Sequence, residues 1–372
     1  MWWLLLLTLP YLALFLFFWY GLRKTEKKPG DPFGGEKQDP VSHAANQTRI
    51  SVVISARNEM ANLPALLNDL TNVDYPRELL EIIFVDDNST DSTYEILRSA
   101  SDRSDTIKVL TSKGSGKKEA LITAFEQVTG DLIITTDADC RIRRDWIRLF
   151  SDFYYSNGCD LIIGPVDLID SPHVSGRFCH LEFLSLQAVT AGSAAAGHPV
   201  MCSGANLGFR PDITDNWASS INPGIASGDD MFLLQHAKRS GKKILYLNSD
   251  EATVDTRGPD SLSSFLRQRS RWAGKNIRFS DKEIFITAAI ILFTNLLLSV
   301  MVVLSIIYPK FIFTAISIYL CKSLPDFLLL SEITSRRGRR NLLPYFVPVQ
   351  IIYPFYVVIA SLSGIFGRNR WK

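Results

Sequence analysis

The sequence has few cysteines, and no CxxC pair among its five. Cys140, Cys159, Cys179, Cys202 and Cys321 therefore propose neither a zinc site nor an obvious disulfide framework, and a reducing compartment suits them. Net charge is also nearly absent. A formal balance of +2 over 372 residues gives no reason to expect nucleic acid as the partner. No full Walker A pattern occurs, and no G-x-G-x-x-G fingerprint follows the first β-branched run, which argues against a P-loop ATPase. No lysine or arginine precedes the N-terminal apolar run, and no A-x-A-like site follows it. A secretory signal peptide is therefore disfavoured.

Long apolar runs are present, and they concentrate at the two ends. Residues 2–20 carry no charge, and about 20 apolar residues suffice to span a bilayer. We expect a transmembrane helix over 1–22. Arg23, Lys24, Lys27 and Lys28 follow it and place the central region on the cytoplasmic side, because basic residues tend to stay inside. Residues 23–47, rich in Pro, Gly, Lys and Asp, read as a cytoplasmic linker. Further spans are expected at 284–307 and at 311–330, the latter despite Lys322 and Asp326, which are costly in lipid unless they face protein or water. The Arg336-Arg337-Gly338-Arg339-Arg340 cluster then returns the chain to the cytoplasm. Residues 345–366 carry Pro348 and Pro354, and the basic tail Arg368, Arg370, Lys372 follows. That stretch is open between a span, a re-entrant segment and an interfacial one. The Asn46 and Asn88 sequons are chance matches on this topology.

The middle, 48–280, alternates β-branched runs with amphipathic ones. Strands are expected at 50–55, 81–85, 107–110, 131–136 and 161–164. Helices are expected at 63–70, 92–101, 117–128 and 144–155. This alternation specifies an α/β domain with a mostly parallel sheet covered by helices. Ligands of such sheets bind beyond the carboxyl ends of the strands. Acidic pairs stand at two of those ends, Asp86-Asp87 and Asp137-Ala138-Asp139.

Each motif has a bland alternative. The DAD triplet can bring two carboxylates to one hard cation, or it is a solvated turn. The loop from Asp86 to Asp91 can accept hydrogen bonds from a nucleobase or ribose, or it caps a helix. Ala56, Arg57 and Glu59 share that mouth. Lys117 lies in a basic glycine loop before a helix, which suits phosphate or plain solvent. Asp229 and Asp230 complement a helix dipole, or one of them takes a proton from an acceptor hydroxyl. Gln268, Arg271 and Trp272 hold a diphosphate and a sugar, or anchor the chain at the interface.

In order, VVISARNE, DDNSTD, DAD, CSGANLGFR, the Asp229-Asp230 pair and QRSRW resemble the family 2 glycosyltransferases. The likeness is to the membrane-bound branch related to cellulose, chitin and hyaluronan synthases. It runs from about 50 to 272. It implies a GT-A fold, a UDP-sugar or similar nucleotide-sugar donor, Mg²⁺ or Mn²⁺, and inverting transfer. It assigns Asp86 and Asp87, with Ala56, Arg57, Glu59 and Lys117, to the donor, and Asp137 and Asp139 to diphosphate and metal. Asp230 becomes the general base, with Gln268, Arg271 and Trp272 beside the diphosphate and acceptor. Ser203, Gly204, Ala205, Asn206 and Asp229 line the acceptor side.

The small number of spans favours one transfer to a lipid or lipid-linked saccharide over processive synthesis of a growing glycan. A noncatalytic membrane scaffold on the same fold is the remaining class. The setting implied is a multi-pass protein of a bacterial inner membrane, catalytic domain cytoplasmic, with homo-oligomer or envelope-biosynthesis partners.

Overall fold

The computed structural model describes residues 2–25, 48–215, 228–276 and 280–366. Most of the expected linker, and the basic tail at Arg368–Lys372, lie outside them. The chain divides into two compact units. One comprises 27–169 and 202–257, the other 1–26, 170–201 and 258–372. Residues 170–201 and 258–276, grouped with the central domain by their position in sequence, thus belong to the second unit.

The first unit is built on a seven-stranded sheet. Its strands are β1 (Ile50–Ala56), β2 (Leu80–Asp86), β3 (Ile107–Thr111), β4 (Leu132–Thr135), β5 (Leu161–Ile163), β7 (Leu207–Phe209) and β8 (Ile244–Tyr246), in the order β3-β2-β1-β4-β7-β5-β8. All neighbours are parallel except β7, which is antiparallel to both β4 and β5. β6 (Val166–Leu168) and β9 (Val254–Thr256) form a separate parallel pair. The crossover helices are α2 (Leu63–Thr71), α3 (Thr93–Ser101), α4 (Lys117–Phe125) and α5 (Trp146–Asn157). β1, β2 and β4 read as continuous apolar runs because helices cover both faces of a parallel sheet, and Val52, Ile54, Ile83, Phe84, Leu132 and Ile134 are buried accordingly.

Topology sets the position of the polar residues. Ala56 pairs with Asp86 and Asp86 with Thr111, so the carboxyl ends of β1, β2 and β3 form one edge. β7 runs the other way, and Leu207, its first residue, pairs with Thr135, the last of β4. The loop 203–206 is thereby delivered to that same edge. It could not reach there on a parallel strand.

The second unit is helical. It contains α1 (Leu9–Lys24), α6 (Val174–Ala195), α8 (Leu262–Asn276), α9 (Lys282–Ile307), α10 (Ile312–Arg336) and α11 (Phe346–Phe366), while α7 (Asp229–Arg239) belongs to the sheet unit. Among the described residues, four helical stretches are long and apolar enough to cross a membrane: Trp3–Lys24, Lys282–Ile307, Pro309–Arg336 and Arg340–Phe366. Asp281 caps α9 by accepting from the N–H groups of Glu283 and Ile284 at 2.8 and 3.1 Å, as an N-cap carboxylate should. α6 was not expected. Small residues let it approach α1 closely, for a Cβ on Gly192 would strike the carbonyl of Phe18, and one on Gly21 that of Gly192. The basic ends of α1 and α10 lie together: Arg23 pairs with Glu332 at 3.7 Å and Arg336 donates to Thr25 at 2.8 Å. Arg23 and Arg336 therefore sit at one end of the bundle, as the charge pattern requires if the first and third apolar stretches run in the same direction.

Candidate active site

The polar edge of the sheet is organised from three loops. After β1, Asn58 adopts a left-handed conformation (φ 57°), and its side-chain oxygen accepts from Thr90 N–H at 2.8 Å. Its own N–H donates to Ser89 at 3.0 Å, and that of Glu59 donates to Thr93 at 2.8 Å. The loops after β1 and β2 are thus stitched together. Asp91 accepts from the N–H of Thr93 at 3.0 Å, so part of the DDNSTD motif does cap and brace the loops.

Asp86 and Asp87 are both buried but are differently engaged. Asp87 is occupied at both oxygens, by Gly116 N–H at 2.7 Å and by Arg57 at 3.2 Å. It shapes the glycine loop, in which Gly116 has φ 102°. Asp86 accepts from Ser89 N–H at 3.2 Å through Oδ2, whereas its Oδ1 has no partner among the described residues. A buried carboxylate oxygen left without a donor is costly, and it is a vacant acceptor for a ligand N–H. The Ser112 hydroxyl is also buried without a partner among the described residues.

The glycine loop aims Lys117 at the DAD turn, where its ammonium donates to Asp137. Burial pushes the Lys117 pKa down, but Asp137, Asp229 and Asp230 outweigh it and hold the ammonium well above its ordinary value. Gly204 completes this corner. A Cβ there would lie 3.5 Å from Asp230 Cβ and 3.8 Å from the Lys117 ammonium. The N–H of Gly204 donates to Asp230 Oδ2 at 3.2 Å, and its carbonyl accepts from Thr135 at 2.8 Å. Asp230 Oδ1 accepts from the N–H of Met231 at 2.8 Å, in the first turn of α7.

Asp139 is coupled to the same ammonium, so four carboxylates, Asp137, Asp139, Asp229 and Asp230, crowd one lysine. Asp139 is raised by burial and by Asp137. Glu59 is raised by burial, against the hydrogen bond from Asn62, with Asp139, Asp137 and Asp91 adding to the shift. The ligand atoms of Asp137, Asp139 and Cys140 lie within 4.8 Å of one another. Two hard carboxylates in a region short of positive charge fit Mg²⁺ or Mn²⁺. Burial, followed by Asp137 and Asp139, pushes the Cys140 thiol well above its ordinary value, so it is an unsuitable ligand in its protonated form.

The expected residues separate into groups. Lys117, Asp137, Asp139, Gly204, Asp229 and Asp230 come together, beside Ala56, Arg57, Glu59, Asp86 and Asp87. Ser203 accepts from the N–H of Ala205 at 3.4 Å within the same loop. Asn206, expected on the acceptor side, is wholly buried. It accepts from Trp146 at 2.9 Å and donates to the carbonyls of Pro165 and Ala252 at 2.6 and 2.8 Å. With both amide hydrogens and its oxygen used, it pins the core beneath the loop. Gln268, Arg271 and Trp272 are on α8, in the helical unit. Arg269, which sequence reasoning left without a role, is the buried arginine of that motif. Sequence offered no signal to distinguish it from Arg271.

Residues 51–216 match the model of the family described as Glycosyl transferase family 2. They are a family 2 glycosyltransferase domain. Glycosyltransferase AglE of Haloferax volcanii is 32% identical over 198 residues, 53% of this chain and 64% of that protein. An undecaprenyl-phosphate 4-deoxy-4-formamido-L-arabinose transferase of Yersinia pestis is 40% identical over 94 residues, 24% of this chain and 29% of its own. The chain thus spans less than two thirds of the length of these relatives. The solved mannosyltransferase PcManGT from Pyrobaculum calidifontis, in complex with GDP-Man and Mn²⁺, superposes with a TM-score of 0.60 at 17% identity, covering 98% of both chains. The glycosyltransferase domain thus has the expected GT-A-like α/β fold, and the same chain carries helices apolar enough to span a membrane at both ends.

Proposed function

We propose that this enzyme transfers one sugar from a nucleotide-sugar donor, a UDP-sugar in the first instance, to a lipid or lipid-linked saccharide. The reaction takes place at the cytoplasmic face of a bacterial inner membrane. The observation that carries the reading is the clustering of Asp137, Asp139, Asp229 and Asp230 around Lys117 at the carboxyl edge of the sheet. The unpartnered oxygen of Asp86 lies on the same edge, at the end of β2, with β1 between it and β4. Such an edge suits a nucleoside at one end and a charged leaving group at the other. The similarity to the undecaprenyl-phosphate transferase of Yersinia pestis and to the Pyrobaculum mannosyltransferase with GDP-Man and Mn²⁺ supports a polyprenyl-type acceptor and a nucleotide-sugar donor with a divalent ion.

Asp86 Oδ1 accepts an N–H of the base, and Arg57, held by Asp87, faces the ribose side. Asp137 and Asp139 would hold Mg²⁺ or Mn²⁺, which when bound neutralises the charge developing on the diphosphate. The acceptor hydroxyl attacks the anomeric carbon with inversion as the bond to the diphosphate oxygen breaks. Asp230 removes the hydroxyl proton; its second oxygen is steadied by Gly204 N–H, which keeps the carboxylate aimed. Gln268, Arg271 and Trp272 enter this proposal by the family resemblance alone.

Detergent-purified full-length protein incubated with a panel of nucleotide sugars, Mg²⁺ or Mn²⁺ and total membrane lipids tests it. Released nucleoside diphosphate together with a lipid heavier by one sugar is the expected result. A ladder of added sugars would instead establish a polymerase. No release from any donor by folded protein would favour the scaffold.

A further inference from the structure

The last apolar helix, α11, has the length of a membrane crossing, yet its contacts return it to the end it starts from. Three levels in the helical unit fix the direction of its neighbours. At the first, Leu4 and Leu5 pack with Leu298, Met301, Ala315 and Ile318. At the second, Tyr11 donates to Asp326 at 2.7 Å. At the third, the basic end, Arg23 pairs with Glu332 at 3.7 Å. α1 and α10 therefore run in the same direction, towards the basic end. α9 is joined to α10 by the short turn at 308–311 and runs the other way. Its first turn, at Glu283, thus lies at the basic end, about 27 Å along the helix from Met301.

α6 lies across that end. Just before it, Asp170 accepts from Arg339 at 2.7 Å, and in its first turn Arg177 donates to Tyr345. Just after it, Nδ1 of His198 is 2.7 Å from Oε1 of Glu283. In its last turn, a Cβ on Gly192 would strike the carbonyl of Phe18, two turns from the basic end of α1. Glu182, between these anchors, is held at the same level.

α11 follows Arg339 and Tyr345, and so begins at the basic end. In its second turn Gln350 accepts from Lys322 at 2.7 Å and donates to Asp326 at 2.9 Å. Asp326 stands ten residues, about 15 Å, from Arg336, so α11 has descended towards the middle of α10. Six residues later Tyr356 donates to Glu182 at 3.0 Å, back at the level of α6. In the last turn Gly364 meets α8, where a Cβ on Gly274 would lie 2.5 Å from the Gly364 carbonyl. α8 is held at that level too, for Arg269 donates to both oxygens of Glu182 at 3.0 and 3.1 Å. It carries Arg267, Arg269 and Arg271, and such charges are costly at the centre of a bilayer. A 21-residue helix is about 31 Å long. Crossing straight from the basic end, it would finish at the level of Leu4 and Met301. Pro354 stands inside α11, where it removes the N–H that would bond the Gln350 carbonyl and favours a bend.

We infer that α11 is a re-entrant segment, which enters one leaflet at the basic end and leaves by the same face, so that α1, α9 and α10 are the crossings. Its exposed stripe of Val347, Ile351, Phe355, Ile359 and Leu362 meets the acyl chains of that leaflet. A further crossing would deliver the basic sequence Arg368, Arg370, Lys372 to the opposite face, against the positive-inside pattern, whereas a re-entrant segment does not. This topology holds whether or not the proposed transfer reaction does.

Membranes carrying the full chain test it with a membrane-impermeant maleimide, applied to right-side-out and to inverted vesicles. Cys321→Ser removes the partly exposed cysteine, and the other four are buried. Three additions are compared in that background: Arg340→Cys at the basic end, Lys310→Cys in the turn at the far end, and a cysteine-bearing tag appended after Lys372. All three should react once detergent is added. The tag is expected to label in the same vesicles as Arg340→Cys, and to lose labelling in those where Lys310→Cys reacts. A tag that labels with Lys310→Cys instead would establish a fourth crossing and overturn the inference. Arg340→Cys and Lys310→Cys reacting in the same vesicles would overturn it as well, since α10 would then not cross.

Discussion

The backbone N–H of Gly204 donates to Oδ2 of Asp230 at 3.2 Å, joining residues 26 apart in sequence. The contact exists because β7 runs antiparallel and brings its preceding loop to the end of β4. It leaves Asp230 with one oxygen steadied by Gly204 and the other by the first turn of α7. Asp230→Asn keeps the shape and loses the base. Transfer should fall at least ~100-fold, the usual range for a lost general base, while nucleotide affinity holds. Turnover equal to wild type would remove Asp230 from the proposed role.

Asp139→Ala should act earlier in the reaction. With one carboxylate gone from a pair suited to a hard cation, Mn²⁺-dependent nucleotide binding is expected to weaken, and added Mn²⁺ should restore it partly. Chelation with EDTA should abolish wild-type turnover, and Mg²⁺ or Mn²⁺ should return it. Calorimetric titration of nucleoside diphosphate with and without metal makes the comparison. Identical affinities in the two conditions would contradict a metal site at the DAD turn.

Asp86 tests the nucleoside end. Its free oxygen sits in a buried environment, where a hydrogen bond to a charged acceptor contributes about 1.5–3 kcal/mol. Asp86→Asn is expected to raise donor KM by about tenfold or more with a smaller change in kcat, the signature of lost uniform binding. A change confined to kcat would place Asp86 in the chemistry instead.

The strands carrying Asp86 and Asp137 were legible because a parallel sheet covered on both faces demands unbroken apolar runs, and the acids mark where those runs stop. The helix α6 was not legible. Residues 179–184 and 187–194 are buried on every side, so no amphipathic period survives. β7, β8 and β9 have three residues each, too few to show alternation. Asn206 looked like a site residue beside Gly204, yet its partners lie 60, 41 and 46 positions away, which no local pattern reveals. The glycine loop suggested a phosphate site. That its lysine reaches Asp137 depends on β1 and β4 being neighbours.

Glu81 provides a test of the sheet edge remote from the chemistry. Burial alone would raise it, but hydrogen bonds from Lys108, Ser51 and Thr129 outweigh burial and hold its carboxyl below the ordinary glutamate value. A depressed folded pKa means the stabilisation is present above the unfolded pKa and is lost as pH falls through the folded one. Glu81→Gln should therefore cost about 1–2 kcal/mol at neutral pH, and the gap from wild type should close below about pH 4. Thermal unfolding of both proteins across pH measures this. A gap that widened in acid would reverse the sign.

In the helical unit, Lys322 is wholly buried and donates to Asp326 at 2.6 Å and to Gln350 at 2.7 Å. Tyr11 donates to Asp326 at 2.7 Å. Three membrane-length helices meet at this pair. Lys322→Met strands a buried carboxylate and should destabilise by about 3–5 kcal/mol, whereas adding Asp326→Leu should recover much of the loss. Detergent-solubilised melting curves distinguish them, and a double variant no better than the single would refute the pairing.

The central claim is most directly tested by one paired measurement in nanodiscs containing membrane lipids. Wild type and Asp230→Asn receive the same radiolabelled nucleotide sugar, and bound nucleotide and labelled lipid are counted in each. The account expects equal nucleotide binding, with labelled lipid formed by the wild type and essentially none by the variant. Labelled lipid formed equally by both, or by neither despite nucleotide binding, would contradict it.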